Sequence, residues 1–441
     1  MVWQILMIYR PYRMKCTPIK AKSIAVVVML FALCKKSLTE IGWDSYNIKG
    51  ASAKGWNDLK GIFSFFISCF ICLMILSHAR AEAAIQLPEV TAKSAIVIEA
   101  ATGKVLYEKD AEAQRYPAST TKIMTLIVAL ENGNLDDIVT VSNNASQTEG
   151  STLWLEPGEK MKLSDLLYGM MLVSGNDATV AVAEHIAGSV DAFAKMMTAK
   201  AREIGAVNTS FVNSSGLPDP AHYTTAHDMA LIAAYGYKNP MFAQIVSTKE
   251  RQVPWTGKPY NRQLDNENRM LWLYDGGNGV KTGYTDAAGR CLVSAANRNG
   301  VQLISVVFDS TYMWNDSIAL LNYGFPQLNP VELVKKGAIV QSVSVSSGQK
   351  DTLQLKALDT IVIPVADGER DKFTTEVTAP SKITAAVHKG DHVGKMKVLY
   401  DGREIAATDL VAVETIDKKS FFSLLWQKIF LTMNYLKQTF V

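Results

Sequence analysis

Cysteine is almost missing from the larger part of this 441-residue chain: Cys16, Cys34, Cys69 and Cys72 all precede residue 85, and only Cys291 follows. One thiol cannot pair with itself, so a disulfide framework and a cysteine-built metal site are both excluded for the folded part. Proline is scarce too, at 14 residues, and an apolar content of 48% argues for a filled core and against disorder. Charge of one sign is also lacking. The formal charge of +3 hides an uneven split: residues 1–84 hold 11 Lys/Arg and 4 Asp/Glu, and the remainder holds 34 against 38. That remainder carries no basic footprint for nucleic acid. No cofactor motif or metal-ligand spacing stands out, and neither a cofactor nor a metal is expected. The length suffices for two domains plus targeting segments.

Long apolar runs occur only near the start of the chain. Gly61 to Ser77 follows Lys54 and Lys60 and leads into Ala79-Arg-Ala-Glu-Ala-Ala84. A basic flank, an apolar centre and small residues at alternate positions form an export signal, with cleavage expected after Ala81 or Ala83. The run is long for a signal, so an uncleaved membrane helix stays open as the alternative. Ile24 to Leu33 is short for a bilayer span, and residues 1 to about 55 are expected to be an upstream extension. At the other end, Phe422, Leu425, Trp426, Ile429, Met433, Leu436 and Phe440 fall on one helical face between Lys418 and Phe440. An aromatic-bearing amphipathic helix with nearby lysines is expected to lie on a membrane surface; docking on the body of the protein is the alternative.

Between these ends the patterning changes twice. Ala95 to Glu99 and Lys104 to Glu108 read as a hairpin about Thr102-Gly103. From 119 to 240 the spacing reads as helical, with helices to about Glu131, over Leu163 to Val173 capped by Ser164, over Val190 to Ile204 and over Thr225 to Tyr235. Strands return at Gly279 to Tyr284, Arg290 to Ala296 and Val301 to Phe308, the last two split by an Asn-Gly hairpin signal. Strands at both ends with helices between predict one sheet built from distant segments and covered by helices. The helix Met313 to Tyr323 closes this domain. Short alternating runs after about Asn329 predict a small all-β domain, a spacer or binding module. The expected partition is 1–84 extension and signal, 85–327 catalytic, 328–414 β domain and 415–441 terminal helix.

Three short motifs fall on that frame. Pro117-Ala-Ser-Thr-Thr-Lys122 puts Ser119 and Lys122 three residues apart on one face of a helix start. Serine must lose its proton as it attacks, and a lysine kept neutral by burial or by another cation can take it. The same spacing suits an ordinary helix start, so the pair alone decides nothing. Ser174-Gly-Asn176 interrupts two helices and can aim both polar side chains into a cleft, although such residues are also common turn formers. Along Lys281-Thr-Gly283 the lysine and glycine share a strand face, and glycine permits close approach of a ligand backbone. A lysine that merely blunts an edge strand is the plain alternative.

Ser-x-x-Lys, Ser-x-Asn and Lys-Thr-Gly in this order form the signature shared by penicillin-binding proteins and class A β-lactamases. The surroundings Tyr116 to Lys122, Val173 to Ala178, Asn213-Ser-Ser-Gly-Leu217, His222-Tyr-Thr-Thr-Ala226 and Asp275 to Thr285 carry the likeness further. From about Ala95 onward the chain resembles the D-alanyl-D-alanine carboxypeptidases of peptidase family S11, low-molecular-mass penicillin-binding proteins.

The resemblance implies an α+β catalytic domain, a small β domain and a terminal amphipathic helix on the periplasmic face of the cytoplasmic membrane. Its implied substrate is a peptidoglycan stem peptide, with β-lactams as covalent inhibitors. It implies Ser119 as nucleophile, Lys122 as base, Ser174 as proton relay and Asn176 as the holder of Lys122 and the substrate amide. Lys281 and Thr282, on a strand opened by Gly283, would receive the terminal carboxylate, and the amides of Ser119 and Tyr284 would form the oxyanion hole. Arg269 would add positive field near the carboxylate. No glutamate stands between Asn208 and Ala226, where a class A β-lactamase carries its deacylating loop, so slow release of penicillin is expected. A β-lactamase, a D,D-endopeptidase and a catalytically silent wall-binding protein are the rival readings.

Overall fold

The computed structural model describes residues 86–420 together with Trp426, Ile429, Phe430, Thr432 and Met433. The signal run, the upstream extension and most of the terminal helix lie outside the described residues. The five described terminal positions are helical, and Trp426, Ile429, Phe430 and Met433 expose their side chains. No described helix is long and apolar enough to cross a membrane.

The expected hairpin forms β1 (Ser94–Glu99) and β2 (Val105–Lys109), and the later strands are β3 (Gly277–Thr285), β4 (Gly289–Arg298) and β5 (Val301–Phe308). They make one antiparallel sheet in the order β2-β1-β5-β4-β3. The two ends of the domain meet where β1 pairs with β5, from Ser94 opposite Phe308 to Glu99 opposite Leu303. The Asn-Gly signal becomes a two-residue loop, with Arg298 opposite Val301 and positive φ at both Asn299 (52°) and Gly300 (84°). That pair of left-handed residues gives the turn a twist matching its strands.

Alternation along the strands splits the core in two. Ile96, Ile98, Val293, Ile304 and Val306 pack on one side, against the helical mass, while Val97, Leu292, Leu303 and Val307 pack on the other with Leu320 and Leu321. The latter pair belongs to α6 (Met313–Gly324); the former side is covered by α1 (Lys122–Asn132), α2 (Leu163–Leu172), α3 (Asn176–Ala187), α4 (Val190–Ile204) and α5 (Ala226–Gly236). Every residue of α1 from Lys122 to Ala129 is buried, as befits a helix apolar on all faces. This central helix is the rigid post on which Ser119 and Lys122 stand.

Two local expectations are corrected. Ser164 does not cap α2: Lys162 holds the cap position, because the chain enters the helix directly from the strand Lys160–Lys162, and the Ser164 amide donates to Leu135 O at 3.1 Å. The 119–240 stretch is not helical throughout, since Lys160–Lys162 pairs with Ile138–Thr140. Three-residue strands are too short to show a period of two.

After α6 the chain builds a two-stranded ribbon, Leu328–Val334 with Ile361–Ala366, and a six-stranded sheet that includes Thr352–Ala357, His392–Tyr400 and Arg403–Ala412. Its own core holds Leu353, Leu355, Ile363, Val398 and Leu410. It docks on the β1–β2 turn, where Lys104 Nζ meets a Glu369 oxygen at 2.7 Å and Arg403 Nη2 donates to Thr102 O at 3.1 Å.

Candidate active site

Ser119 lies in a 3₁₀ turn, Ala118–Thr121, that runs into α1. Ala118, just before it, has φ 47°, a left-handed value that a residue with a Cβ adopts only when its surroundings impose it. The surroundings are tight. A Cβ on Gly216 would sit 1.8 Å from Ala118 O, and one on Gly283 would sit 3.0 Å from Ser119 N. The turn is therefore wedged between the Asn213–Gly216 loop and the face of β3 at Gly283.

Lys122 is fully buried, and its amine has three neighbours: Ser119 Oγ at 2.8 Å, Asn176 Oδ1 at 2.7 Å and Ser215 O at 2.9 Å. Two of these are carbonyl oxygens that only accept. Burial, and then the positive charge of Lys281, hold Lys122 well below the ordinary lysine range. A neutral amine donates its two hydrogens to the two carbonyls, and its lone pair is left facing Ser119 Oγ. That is the geometry of a base poised for the serine proton.

Asn176 opens α3, with Gly175 at the cap position, and Ser174 before it has φ 63°. Its amide Nδ2 donates to Glu149 O at 2.7 Å, which fixes Oδ1 towards Lys122. Asp177 ties the facing loop down: its buried carboxylate accepts from the amides of Leu153 at 3.0 Å and Leu155 at 3.1 Å.

On β3, Lys281 is 1% exposed and Thr282 partly open, so alternation holds, yet Lys281 Nζ reaches back to donate to Thr282 Oγ1 at 3.3 Å. Ser119, Ser174, Thr282, Gly283 and Tyr284 line one cleft of about 440 Å³, with Glu267 and Trp314 on its walls. Lys122 and Asn176 join it through Ser119, and Lys281 joins it through Thr282. Arg269 reaches it only at the wall: its guanidinium lies 5.9 Å from the ring centre of Trp314, and the lining residue of its own segment is Glu267.

Residues 80–311 match the family model described as D-alanyl-D-alanine carboxypeptidase, peptidase S11, and 329–418 match the C-terminal domain of penicillin-binding protein 5. The chain is 36% identical to the D-alanyl-D-alanine carboxypeptidase DacF of Bacillus subtilis, over 76% of this chain and 88% of that protein. It belongs to the peptidase S11 family of D-alanyl-D-alanine carboxypeptidases. DacC of Escherichia coli is 33% identical over 81% of this chain and 92% of its own. The structure of penicillin-binding protein 5 from Haemophilus influenzae superposes with a TM-score of 0.53 at 29% identity, covering 76% of this chain and 99% of that one.

Three residues of this S11 carboxypeptidase were not legible as part of the site: Asp177, Glu267 and His222. Asp177 adjoins a motif and His222 opens one of the stretches that carry the family likeness, though the spacing gives neither a role; Glu267 carries no local signal. His222 is buried behind the Ala118–Thr121 turn, with Nε2 2.8 Å from Thr121 Oγ1 and Nδ1 accepting from Val212 N at 3.2 Å. Burial lowers its pKa from 6.5 to about 4, so it is neutral at pH 7 and Nε2 donates to the threonine. The depressed value means the unfolded chain takes up a proton first as pH falls. His222 therefore stabilises fully above 6.5, and this contribution is lost as pH drops towards 4. His222→Gln is expected to cost on the order of 1–3 kcal/mol at neutral pH. Melting curves at stepped pH should show its gap to wild type narrowing in acid; a gap independent of pH contradicts the assignment.

Proposed function

We propose that this carboxypeptidase removes the terminal D-alanine of peptidoglycan stem pentapeptides through an acyl-enzyme on Ser119. The contact of Ser119 Oγ with a buried Lys122 amine whose other neighbours are both acceptors carries the reading. Ser119 Oγ attacks the carbonyl carbon of the penultimate D-alanine, and its proton passes to Lys122 Nζ. The oxygen that gains charge faces the amides of Ser119 and Tyr284, where loss of one donor costs on the order of a hundredfold or more in rate. The carbon–nitrogen bond then breaks as the proton reaches the leaving amine through Ser174 Oγ. Water attacks the resulting ester, gives its proton to Lys122, and frees Ser119. Asn176 holds the amine and the substrate amide; Lys281 and Thr282 take the terminal carboxylate, a role that suits a fixed cation beside a hydroxyl.

β-Lactams acylate the same serine and leave slowly, since the Asn213–Gly216 loop brings only a backbone carbonyl, that of Ser215, to Lys122. Carboxypeptidases by name among the relatives favour this activity over endopeptidase or β-lactamase action. Export to the periplasmic face of the cytoplasmic membrane, surface anchoring by the terminal helix, and the partition at 84, 327 and 414 belong to the same proposal.

Mass spectrometry of a stem pentapeptide incubated with the purified protein should show loss of one alanine; an untouched peptide contradicts the proposal. Its kcat/KM should be bell-shaped in pH. The rate rises as Lys122 loses its proton and falls as pH passes about 8, where the buried Lys281 gives up the charge that holds the carboxylate. An alkaline limb absent up to pH about 10 contradicts that role of Lys281.

A further inference from the structure

The two groups assigned to the terminal carboxylate already hold a carboxylate. Glu267 Oε2 accepts from Thr282 Oγ1 at 3.2 Å and lies 3.8 Å from Lys281 Nζ. The backbone beneath it is fixed: Glu267 N donates to Leu172 O at 3.0 Å, and the Asn266 side chain donates to Thr248 O at 2.8 Å. The side chain itself is 48% exposed and faces the cleft, so rotation about its own bonds carries the carboxylate to water without moving the chain. Lys281 has no such freedom. A buried ammonium without a counter-ion is costly, and two carboxylates on one cation repel.

We infer that Glu267 is a resident counter-ion of this subsite: it occupies Lys281 and Thr282 in the free enzyme and swings out when a substrate carboxylate arrives. The inference rests on the reading of Lys281 and Thr282 as the carboxylate subsite. Exchange of one anion for another keeps the buried ammonium paired throughout, and it makes entry selective, because a neutral group cannot replace the charge it would displace. The same internal competition weakens every carboxylate ligand by the cost of displacing Glu267.

The test compares acylation by benzylpenicillin, which carries a carboxylate, with acylation by its neutral methyl ester, at about pH 6, below the value of about 8 that Lys281 has beside Glu267. Glu267→Gln should raise the preference for carboxylate over ester on the order of tenfold, and Glu267→Asp should return it towards wild type. An unchanged or lowered preference in Glu267→Gln overturns the inference, as does an equal loss with both agents, which marks a structural role. Lys281→Gln separates this from the underlying reading: if the wild-type preference survives that change, the carboxylate subsite is not at Lys281, and both fall. If Lys281→Gln abolishes the preference while Glu267→Gln leaves it unaltered, only the counter-ion inference falls.

Discussion

Ser119→Ala is expected to lower D-alanine release by on the order of 10⁴-fold or more, while leaving the fold intact. A methyl group offers no electron pair to the substrate carbonyl, and the other hydroxyls in the cleft do not replace it: among the described residues, Ser119 supplies the one hydroxyl hydrogen-bonded to the Lys122 amine. The structural cost is small. Ser119 is partly exposed, and its loss leaves Lys122 with the carbonyls of Asn176 and Ser215. A melting temperature close to wild type together with lost turnover is the predicted pair of results. Retention of more than a few per cent of wild-type kcat would contradict Ser119 as nucleophile.

Lys122→Met is the second large effect, on the order of 10²–10⁴-fold in acylation rate. Methionine keeps the length and apolar stem but removes the nitrogen, so the serine keeps its position and loses its base. Two carbonyls lose their donor as well. Each buried acceptor left unpaired costs on the order of 1–3 kcal/mol, so some loss of stability accompanies the loss of rate. The rate and the melting curve must be read together. The acid limb of the pH profile should vanish in this variant, because it reports the proton on Lys122, whose pKa burial and Lys281 push down. A Lys122→Met enzyme that stays folded and acylates at the wild-type rate would exclude the amine as base.

The fold was readable wherever period and turn chemistry agreed. Asn299-Gly300 announced its hairpin because both residues tolerate left-handed φ, and the helix Val190–Ile204 shows the bounds that its spacing predicts. The strands around Lys160 and Ile138 were not readable, since three residues cannot display alternation. In the cleft, Ser119, Ser174 and Thr282 to Tyr284 come from three short motifs whose internal spacing is visible in sequence, although their convergence is not. The contacts of Glu267 and His222 were not legible either, as they arise only through folding: one turns from a loop onto Lys281, and the other, known from sequence only as part of a recurring stretch, packs under Thr121. Arg269, two residues from Glu267, precedes the short helix Met270–Leu273 and lies over the ring of Trp314 on the cleft wall, a placement its spacing alone does not give.

Peptide mapping of the wild-type protein after exposure to benzylpenicillin tests the whole account most directly, because Ser151 and Ser174 line the same cleft as Ser119. One penicilloyl group on the peptide that contains Ser119, and on no other, is the predicted result. An adduct on Ser151 or Ser174, or a protein that stays unmodified, would contradict it.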